Sequence, residues 1–347
     1  MCVSHPRTLI QVPVLMAGVF LLFFLGPYSP AQGQPASESS AEPITVAAYA
    51  GDTGALIYLA AELGLYEQSG LDVRITDYEA GKLAADALLD GKADVCTSAG
   101  FVFVKDAFTH PTLRIVSTVA AAQVNFLVAR KDKGVNTPQD LLNKDIAVTL
   151  GSAGEFFLEN FLFLHGLSPQ SVHMVDQKPS QIVQSLIQGQ VSAGFTWQPN
   201  VYKLEQNLGK EIQTWAGQSG QEMYFLLLST NNWLQEHPQA AKGLVRALRQ
   251  TVRQIQENPE LVTTLLRERF EYDPGYIQMS LRANSFLVEL SKAMLIALED
   301  QARWILRTDQ SLDYEMPNYL DKIYFKAMDA VSPEDVSIIH APKSHPE

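Results

Sequence analysis

The chain has 347 residues, of which 38 are acidic and 26 basic, and its net charge at pH 7 is −12. This acidic balance argues against a nucleic-acid partner, because phosphate backbones are bound by clustered Lys and Arg. The roughly 310 residues that follow the N-terminal leader exceed what one hydrophobic core usually organises, so we expect two domains. With only Cys2 and Cys96 present, and Cys2 in the leader, we expect no internal disulfide in the mature chain.

Residues 1–33 have the pattern of a secretory signal peptide. Arg7 precedes an apolar run at 12–25, and small residues and prolines follow. An uncleaved membrane anchor is the alternative, although the run is shorter than the roughly 20 residues that span a bilayer. No cysteine follows the run, so we expect no lipid attachment there. Residues 34–43 (QPASESSAEP) predict a flexible tether, and we expect the mature chain in the periplasm.

From Ile44 onward, predicted strands alternate with helices. The strand pattern falls at 44–49, 71–75, 93–97, 113–119, 124–129, 145–150, 172–175, 191–196, 211–215 and 223–229. After Thr230 the pattern becomes almost entirely helical, with amphipathic segments at 231–237, 238–257, 259–270 and 291–307. This regular alternation predicts an α/β fold with a mainly parallel sheet that is covered by helices on both faces.

Short motifs in this order carry a resemblance to a known family. They are GLYEQSGLDV at 64–73, AADALLDGKADV at 84–95, VNTPQDLLNKDIAVT at 135–149 with Gly-Ser at 151–152, GLS at 166–168, GQV at 189–191, and Trp-Leu before His-Pro at 233–238. Together they resemble the substrate-binding proteins of the sulfonate/taurine/nitrate and thiamine-precursor type. One departure is Ser192, at a position where such proteins often carry an Asp-Ala pair after Gly-Gln.

The resemblance implies a periplasmic binding protein-like fold of type II, with two hinged α/β lobes and a helical C-terminal segment. Lobe one would comprise residues 44–129 and 229–347, and lobe two residues 130–228, with crossings near Ala129 and Leu228. The implied function is to capture a small organic nitrogen- or sulfur-containing molecule between the lobes, as a monomer, and to deliver it to the permease and ATPase subunits of an ABC importer. A ligand-presenting sensor subunit for a membrane receptor is the alternative.

Ligands in open α/β sheets bind beyond the carboxyl ends of the strands, so the loops there supply the candidate ligand-binding residues. The candidates are Tyr49, Asp52, Thr53, Gly81, Lys82, Ser98, Ala99 and Asn125 in lobe one, and Gly151, Ser152, Glu155, Thr196, Trp197, Gln198 and Tyr224 in lobe two. The turn at 151–154 is the most suggestive. Glycine lets the backbone approach a ligand, and the helix that begins there offers free N–H groups and a partial positive charge.

Several candidates also have a structural interpretation. Ser152 is suited to cap a helix, and the Trp197 ring either stacks on a ligand or packs in a core. Asp52 and Glu155 either face the cleft, where a carboxylate favours a cation or a nitrogen heterocycle, or complement a helix start and face away. Lys82 either pairs with an acidic ligand or is a solvated loop residue.

Enzymatic motifs are absent from the sequence. The seven histidines lack metal-ligand spacing, there is no Gly-x-Ser-x-Gly elbow, and there is no phosphate-binding Gly-x-x-x-x-Gly-Lys loop. Fungal relatives that make a thiamine precursor share the implied fold but use a Cys-rich motif, which this chain lacks, and Cys96 is expected to be a buried strand residue. We therefore expect no catalytic residue, metal or cofactor, with an enzyme built on the binding-protein fold as the less favoured alternative.

Overall fold

Runs of apolar and β-branched residues form eleven strands in residues 43–308 and 315–340, the part of the chain that the computed structural model describes. The predicted signal peptide and nearly all of the tether lie outside the described residues. The strands are β1 (Ile44–Tyr49), β2 (Val73–Tyr78), β3 (Val95–Ala99), β4 (Leu113–Ala122), β5 (Asn125–Arg130), β6 (Asp145–Val148), β7 (His173–Asp176), β8 (Ala193–Trp197), β9 (Ile212–Ala216), β10 (Met223–Thr230) and β11 (Asn284–Phe286).

Helices connect most of these strands and make up most of the C-terminal part. They are α1 (Ala55–Glu62), α2 (Leu65–Gln68), α3 (Gly81–Leu89), α4 (Gly100–Ala107), α5 (Ala153–Leu164), α6 (Pro179–Ile187), α7 (Asn200–Leu208), α8 (Asn231–Glu236), α9 (Pro238–Glu257), α10 (Glu260–Glu268), α11 (Pro274–Ala283), α12 (Lys292–Thr308) and α13 (Phe325–Val331). A 3-10 turn at Asp52–Gly54 leads into α1. The sequence pattern did not predict α11, β11 or α13.

The strands form two separate sheets. The first has six strands in the order β11-β4-β10-β3-β1-β2, and the second has five in the order β7-β6-β8-β5-β9. In the first sheet β1 is parallel to β2 and β3, whereas β10 is antiparallel to β3 and β4. In the second, β6 is parallel to β7 and β8, whereas β5 is antiparallel to β8 and β9. The expectation of mainly parallel sheets is therefore wrong, since each sheet is mixed.

The two chain crossings explain the antiparallel strands. The directions of pairing place the carboxyl ends of β3 and β4 at the same edge of the first sheet, and those of β6, β8 and β9 at one edge of the second. The chain leaves the first sheet at the end of β4 and, two residues later, begins β5 at the facing edge. It returns in the same way from β9 to β10. A strand that begins where its neighbours end must run antiparallel to them.

The positions of the crossings correct the expected lobe boundaries. The chain changes sheets between Ala122 and Asn125, and again between Ala216 and Met223. The crossings expected near Ala129 and Leu228 instead lie inside β5 and β10. The first connection is two residues long and lies in a largely apolar stretch, so the sequence shows no break there. The second, GQSGQE at 217–222, is a visible loop, but nothing in it shows that the chain changes sheets.

The C-terminal helices pack against the first sheet's side of the molecule. Helix α9 packs against α1, α2 and α13, and α12 packs against α4. β11 adds an edge strand beside β4, where Asn284 pairs with Ala122. The largest buried apolar cluster extends from the first sheet and these helices into α5, and a smaller cluster lies between the second sheet and the helices α6 and α7. Within the described ranges, no helix has the length and apolar character that a membrane crossing requires.

Candidate functional site

A partly open cavity lies where the carboxyl ends of strands from the two sheets face each other, and its free space of about 460 Å³ includes the part that is open to solvent. Residues next to both sheets line it, together with residues of the first crossing between β4 and β5. The lining residues are Tyr49, Asp52, Thr53, Ala80, Gly81, Lys82, Ala99, Val102, Val124, Asn125, Ser152, Ala153, Gly154, Trp197, Gln198, Met223 and Phe225.

Three helices begin at this cavity. The lining includes the first residues of α3 and α5, and the residue just before α4. Ala80 and Ala99 precede α3 and α4 and provide no side-chain cap, so the first backbone N–H groups of these helices have no capping partner. Free N–H groups and the positive end of the helix dipole favour an anion at such positions.

The turn before α5 is built by the sequence motif at 151–154. Gly151 has a φ of +76°, a conformation that glycine adopts without a steric penalty. The Ser152 hydroxyl accepts a hydrogen bond from the N–H of Gly154 at 3.0 Å and donates one to the carbonyl of Thr149 at 2.6 Å. Ser152 is thus an N-cap, as its structural interpretation proposed, and it also lines the cavity.

Aromatic and apolar side chains form the remaining wall. Trp197 ends β8 and is half-buried, and it packs close to Gly154, where a Cβ atom would lie 3.7 Å from the indole. The Tyr49 hydroxyl lies 3.5 Å from the carbonyl of Gln198 and so reaches from the first sheet to the second. Burial raises the pKa of Tyr49, and the nearby Tyr272 and Asp52 add to this effect. Tyr49 is therefore a neutral hydroxyl at physiological pH.

Asp52 faces the C-terminal segment. Its Oδ2 accepts hydrogen bonds from the Tyr276 hydroxyl at 2.6 Å, the Ser280 hydroxyl at 2.7 Å and the Asn284 amide at 3.0 Å. Its Oδ1 accepts one from the N–H of Thr53 at 2.9 Å. Both oxygens are therefore occupied, and the side chain ties the loop after β1 to α11 and β11. Asp52 thus has a structural role in joining these elements, although the residue also lines the cavity.

Two ion pairs lie at or near the cavity. Lys82 Nζ lies 2.7 Å from Asp86, and Lys105 Nζ lies 3.6 Å from Glu155. Glu155 also accepts a hydrogen bond from the N–H of Gly151 at 2.6 Å, so its carboxylate closes the turn before α5. Burial, with a contribution from Glu155, raises the pKa of Glu159 to about 7.

Contacts on two sides of the cavity join the two sheets' elements. On α4 and α5, the rings of Phe101 and Phe156 stack with centroids 5.0 Å apart, close to the Lys105–Glu155 pair. At another point the Tyr202 hydroxyl, on α7, donates a hydrogen bond to Asp273, just before α11, at 2.6 Å. The cavity is therefore enclosed between elements of both sheets.

Ten of the fifteen candidate residues line the cavity, and five do not. The Ser98 hydroxyl is buried and donates to the carbonyl of Gly81, and Thr196 Oγ1 accepts from the Asn200 amide. Gly151 and Glu155 shape the turn just outside the lining. Tyr224 is also absent, because side chains alternate along a strand and its neighbours Met223 and Phe225 face the cavity.

Seven lining residues were not among the individual candidates, although Ala153 and Gly154 lie in the turn at 151–154 that the sequence singled out. They are Ala80, Val102, Val124, Ala153, Gly154, Met223 and Phe225. Two of them follow from a rule that the sequence does support. Had β10 been placed after the crossing, the i, i+2 alternation would have selected Met223 and Phe225 instead of Tyr224. The others are small or apolar residues beside a candidate, and no chemical signal marks them. Among the described residues there is no cluster of His, Cys, Asp and Glu that could hold a metal ion.

The chain is similar in sequence to proteins that are named as binding proteins. A binding protein of Brucella abortus (strain 2308) is 24% identical over 226 residues, which cover 63% of this chain and 69% of that protein. The taurine-binding periplasmic protein of Escherichia coli K12 is 25% identical over 131 residues, covering 37% of this chain and 41% of that protein. Each of these relatives is named as a binding protein.

A solved structure extends the likeness to most of the fold. The alkanesulfonate-binding protein SsuA from Xanthomonas axonopodis pv. citri, bound to MOPS, superposes with a TM-score of 0.70 at 18% identity, covering 81% of this chain and 98% of that one. The predicted periplasmic binding protein fold is thereby confirmed. The sequence profile of the NMT1/THI5-like family matches residues 53–261, which is more than half of the chain. The chain therefore belongs to the NMT1/THI5-like family.

Proposed function

We propose that this chain is an extracytoplasmic solute-binding protein that captures a small organic anion, of the sulfonate class, between two lobes and delivers it to an ABC importer. Lobe one consists of the first sheet with the C-terminal helices, and lobe two of the second sheet with α5, α6 and α7. The observation that carries the proposal is the cavity between the two sheets, at which three helices begin beside aromatic and apolar side chains.

The helix starts explain why an anion is favoured without an arginine. The N-termini of α3, α4 and α5 all lie at this cavity and bring the positive ends of three helix dipoles to it. Ser152 caps α5, whereas the residues before α3 and α4 provide no side-chain cap. Lys82, the cationic residue in the lining, is paired with Asp86 at 2.7 Å and therefore adds little net charge. Fixed backbone dipoles suit a transported solute, because they stabilise the charge and still allow its release.

Another part of the lining suits an apolar or aromatic portion of the ligand. Trp197, Met223 and Phe225 present carbon surface to the cavity. A ring such as that of Trp197 commonly stacks on a small organic group. A compact anion with a short hydrocarbon part fits this division into a polar and an apolar side. The names of two similar proteins, a taurine-binding and an alkanesulfonate-binding protein, support a sulfonate.

The location of the protein outside the cytoplasm and its importer partners are part of the same proposal. The leader predicted at residues 1–33 directs the chain out of the cytoplasm, and the taurine-binding relative is named as periplasmic. A solute that is bound outside the cytoplasmic membrane needs an import channel, which the permease and ATPase subunits of an ABC importer provide. The family and the named relatives are those of binding proteins, which supports a role without catalysis.

Isothermal titration of protein purified from the periplasm tests the proposal. The panel consists of taurine, ethanesulfonate, nitrate and an aminopyrimidine, the last representing the thiamine-precursor class. We expect saturable one-to-one binding of a sulfonate and weaker binding of the aminopyrimidine. Tight binding of the aminopyrimidine without saturable binding of any anion would contradict the proposed ligand class and leave solute capture itself intact.

A further inference from the structure

Two buried side chains in the cavity wall have a polar atom without a hydrogen-bond partner among the described residues. These atoms are Asn125 Oδ1 and Thr53 Oγ1, and each side chain belongs to a residue that is only 2% exposed. Buried polar groups in folded proteins are nearly always paired, because an unpaired group loses its hydrogen bonds to water without replacement. Both atoms therefore point to a partner that the chain itself does not supply.

Gln218 fixes the orientation of the Asn125 amide. Gln218 Oε1 accepts from the backbone N–H groups of Val124 at 2.6 Å and Asn125 at 2.9 Å. Its Nε2 donates to the backbone carbonyls of Ala122 at 3.0 Å and Gln221 at 2.8 Å. Backbone donors and acceptors cannot exchange roles, so Gln218 has a single orientation.

The orientation of Gln218 in turn determines the orientation of the Asn125 side-chain amide. The Asn125 side chain lies 2.9 Å from the same Gln218 Oε1. Because this oxygen can only accept, the Asn125 atom that faces it must be the donor Nδ2. The carbonyl oxygen Oδ1 is therefore the half of the amide that remains free. An amide oxygen accepts hydrogen bonds and cannot donate them, so its missing partner must be a donor.

Asn125 and Thr53 belong to other elements of the cavity wall than the three helix starts. Asn125 is the first residue of β5, directly after the first crossing, whereas the helix starts follow β2, β3 and β6. Thr53 follows β1 and lies in the 3-10 turn that precedes α1. The cavity wall thus combines helix starts, which favour an anion, with an amide oxygen on another element that requires a hydrogen-bond donor.

We infer that the ligand carries an N–H or O–H donor in addition to its anionic group, and that Asn125 Oδ1 receives this donor with the Thr53 hydroxyl as a second polar contact. The inference rests on the proposed function and narrows it to amino- or hydroxy-substituted organic anions. Asn125 and Thr53 are then the residues that distinguish such molecules from plain alkanesulfonates.

Calorimetry with three matched sulfonates tests the inference. Taurine carries an ammonium group, isethionate a hydroxyl, and ethanesulfonate a methyl group at the same position. Loss of one buried hydrogen bond typically weakens binding about tenfold to a hundredfold. We expect taurine and isethionate to bind at least about tenfold more tightly than ethanesulfonate. Equal affinities for all three would overturn the inference and leave the proposed function standing, whereas no binding of any of them would contradict both.

Two variants assign the selectivity to these residues. Thr53→Val removes only an unpaired hydroxyl, so the fold should tolerate it, and Asn125→Leu leaves Gln218 bound to four backbone groups. Each should weaken taurine binding about tenfold more than it weakens ethanesulfonate binding, because only taurine loses a hydrogen bond. Ser117→Ala is the matched control, because Ser117 Oγ is also buried and unpaired but Ser117 does not line the cavity. If Thr53→Val and Asn125→Leu bind all three sulfonates as the unaltered protein does, the inference is wrong.

Discussion

Replacing Asp52 with Ala would remove the acceptor that joins the loop after β1 to the C-terminal segment. Three side-chain donors, from Tyr276, Ser280 and Asn284, would lose their shared partner. A buried donor left unpaired costs about 1–3 kcal/mol, but neighbouring groups relax together, so the three costs do not simply add. We expect the free energy of unfolding to fall by about 3–5 kcal/mol, which is more than one unpaired donor costs and less than the full sum for three.

Urea and thermal unfolding measure this change. At roughly 2–4 °C per kcal/mol for a domain of 150–250 residues, the midpoint should fall by about 6–20 °C. Tyr276→Phe should have a smaller effect, because the carboxylate keeps its other donors. Asp90→Ala is the control, since Asp90 forms an exposed pair with Lys92 whose loss costs about 0–1 kcal/mol. If Asp52→Ala unfolds like Asp90→Ala but no longer binds ligand, Asp52 is a ligand contact and its assigned structural role is wrong.

Three further predictions concern single residues. Trp197→Ala should weaken ligand binding about tenfold to a hundredfold with little change in the unfolding midpoint, whereas a large fall in midpoint with unchanged affinity would identify a core residue. The raised pKa of Glu159, about 7 against an ordinary 4.5, means that protonation stabilises the fold as pH falls from about 7 towards 4.5. Glu159→Gln should flatten that part of the stability curve, and an unchanged curve would refute the assignment. The buried Cys96 thiol, whose pKa burial raises, should react with thiol reagents only after unfolding, and rapid labelling of the native protein would contradict its burial.

The candidate loops followed from strand direction. In parallel strands joined by helices the carboxyl ends share one edge, so the positions after β1, β2, β3, β6 and β8 were predictable from the order of elements alone. Lys82, Ser152 and Trp197 were found in this way, and all three line the cavity. Whether they bind a ligand stays a prediction.

The sequence-based predictions were wrong where contacts between distant parts of the chain determine which residues face the cavity. The loop before β10 is visible in the sequence, but the change of sheet there is not, and placing the crossing near Leu228 led to Tyr224 instead of Met223 and Phe225. The partners of Asp52 are more than 220 residues away along the chain, on α11 and β11, and no local pattern announces them. A sequence shows which residues are suited to face a cleft, but the contacts that occupy an oxygen, or leave one free, depend on the complete fold.

The central claim is that the cavity between the two sheets holds a small anion at the N-termini of α3, α4 and α5. The most direct test is a crystal structure with 2-bromoethanesulfonate at a concentration that calorimetry shows to be saturating, since bromine is located by anomalous scattering. We expect one bromine peak inside the cavity, with the sulfonate against the helix starts at Gly81, Gly100 and Ala153. A bromine peak elsewhere on the protein, with an empty cavity, would contradict the claim.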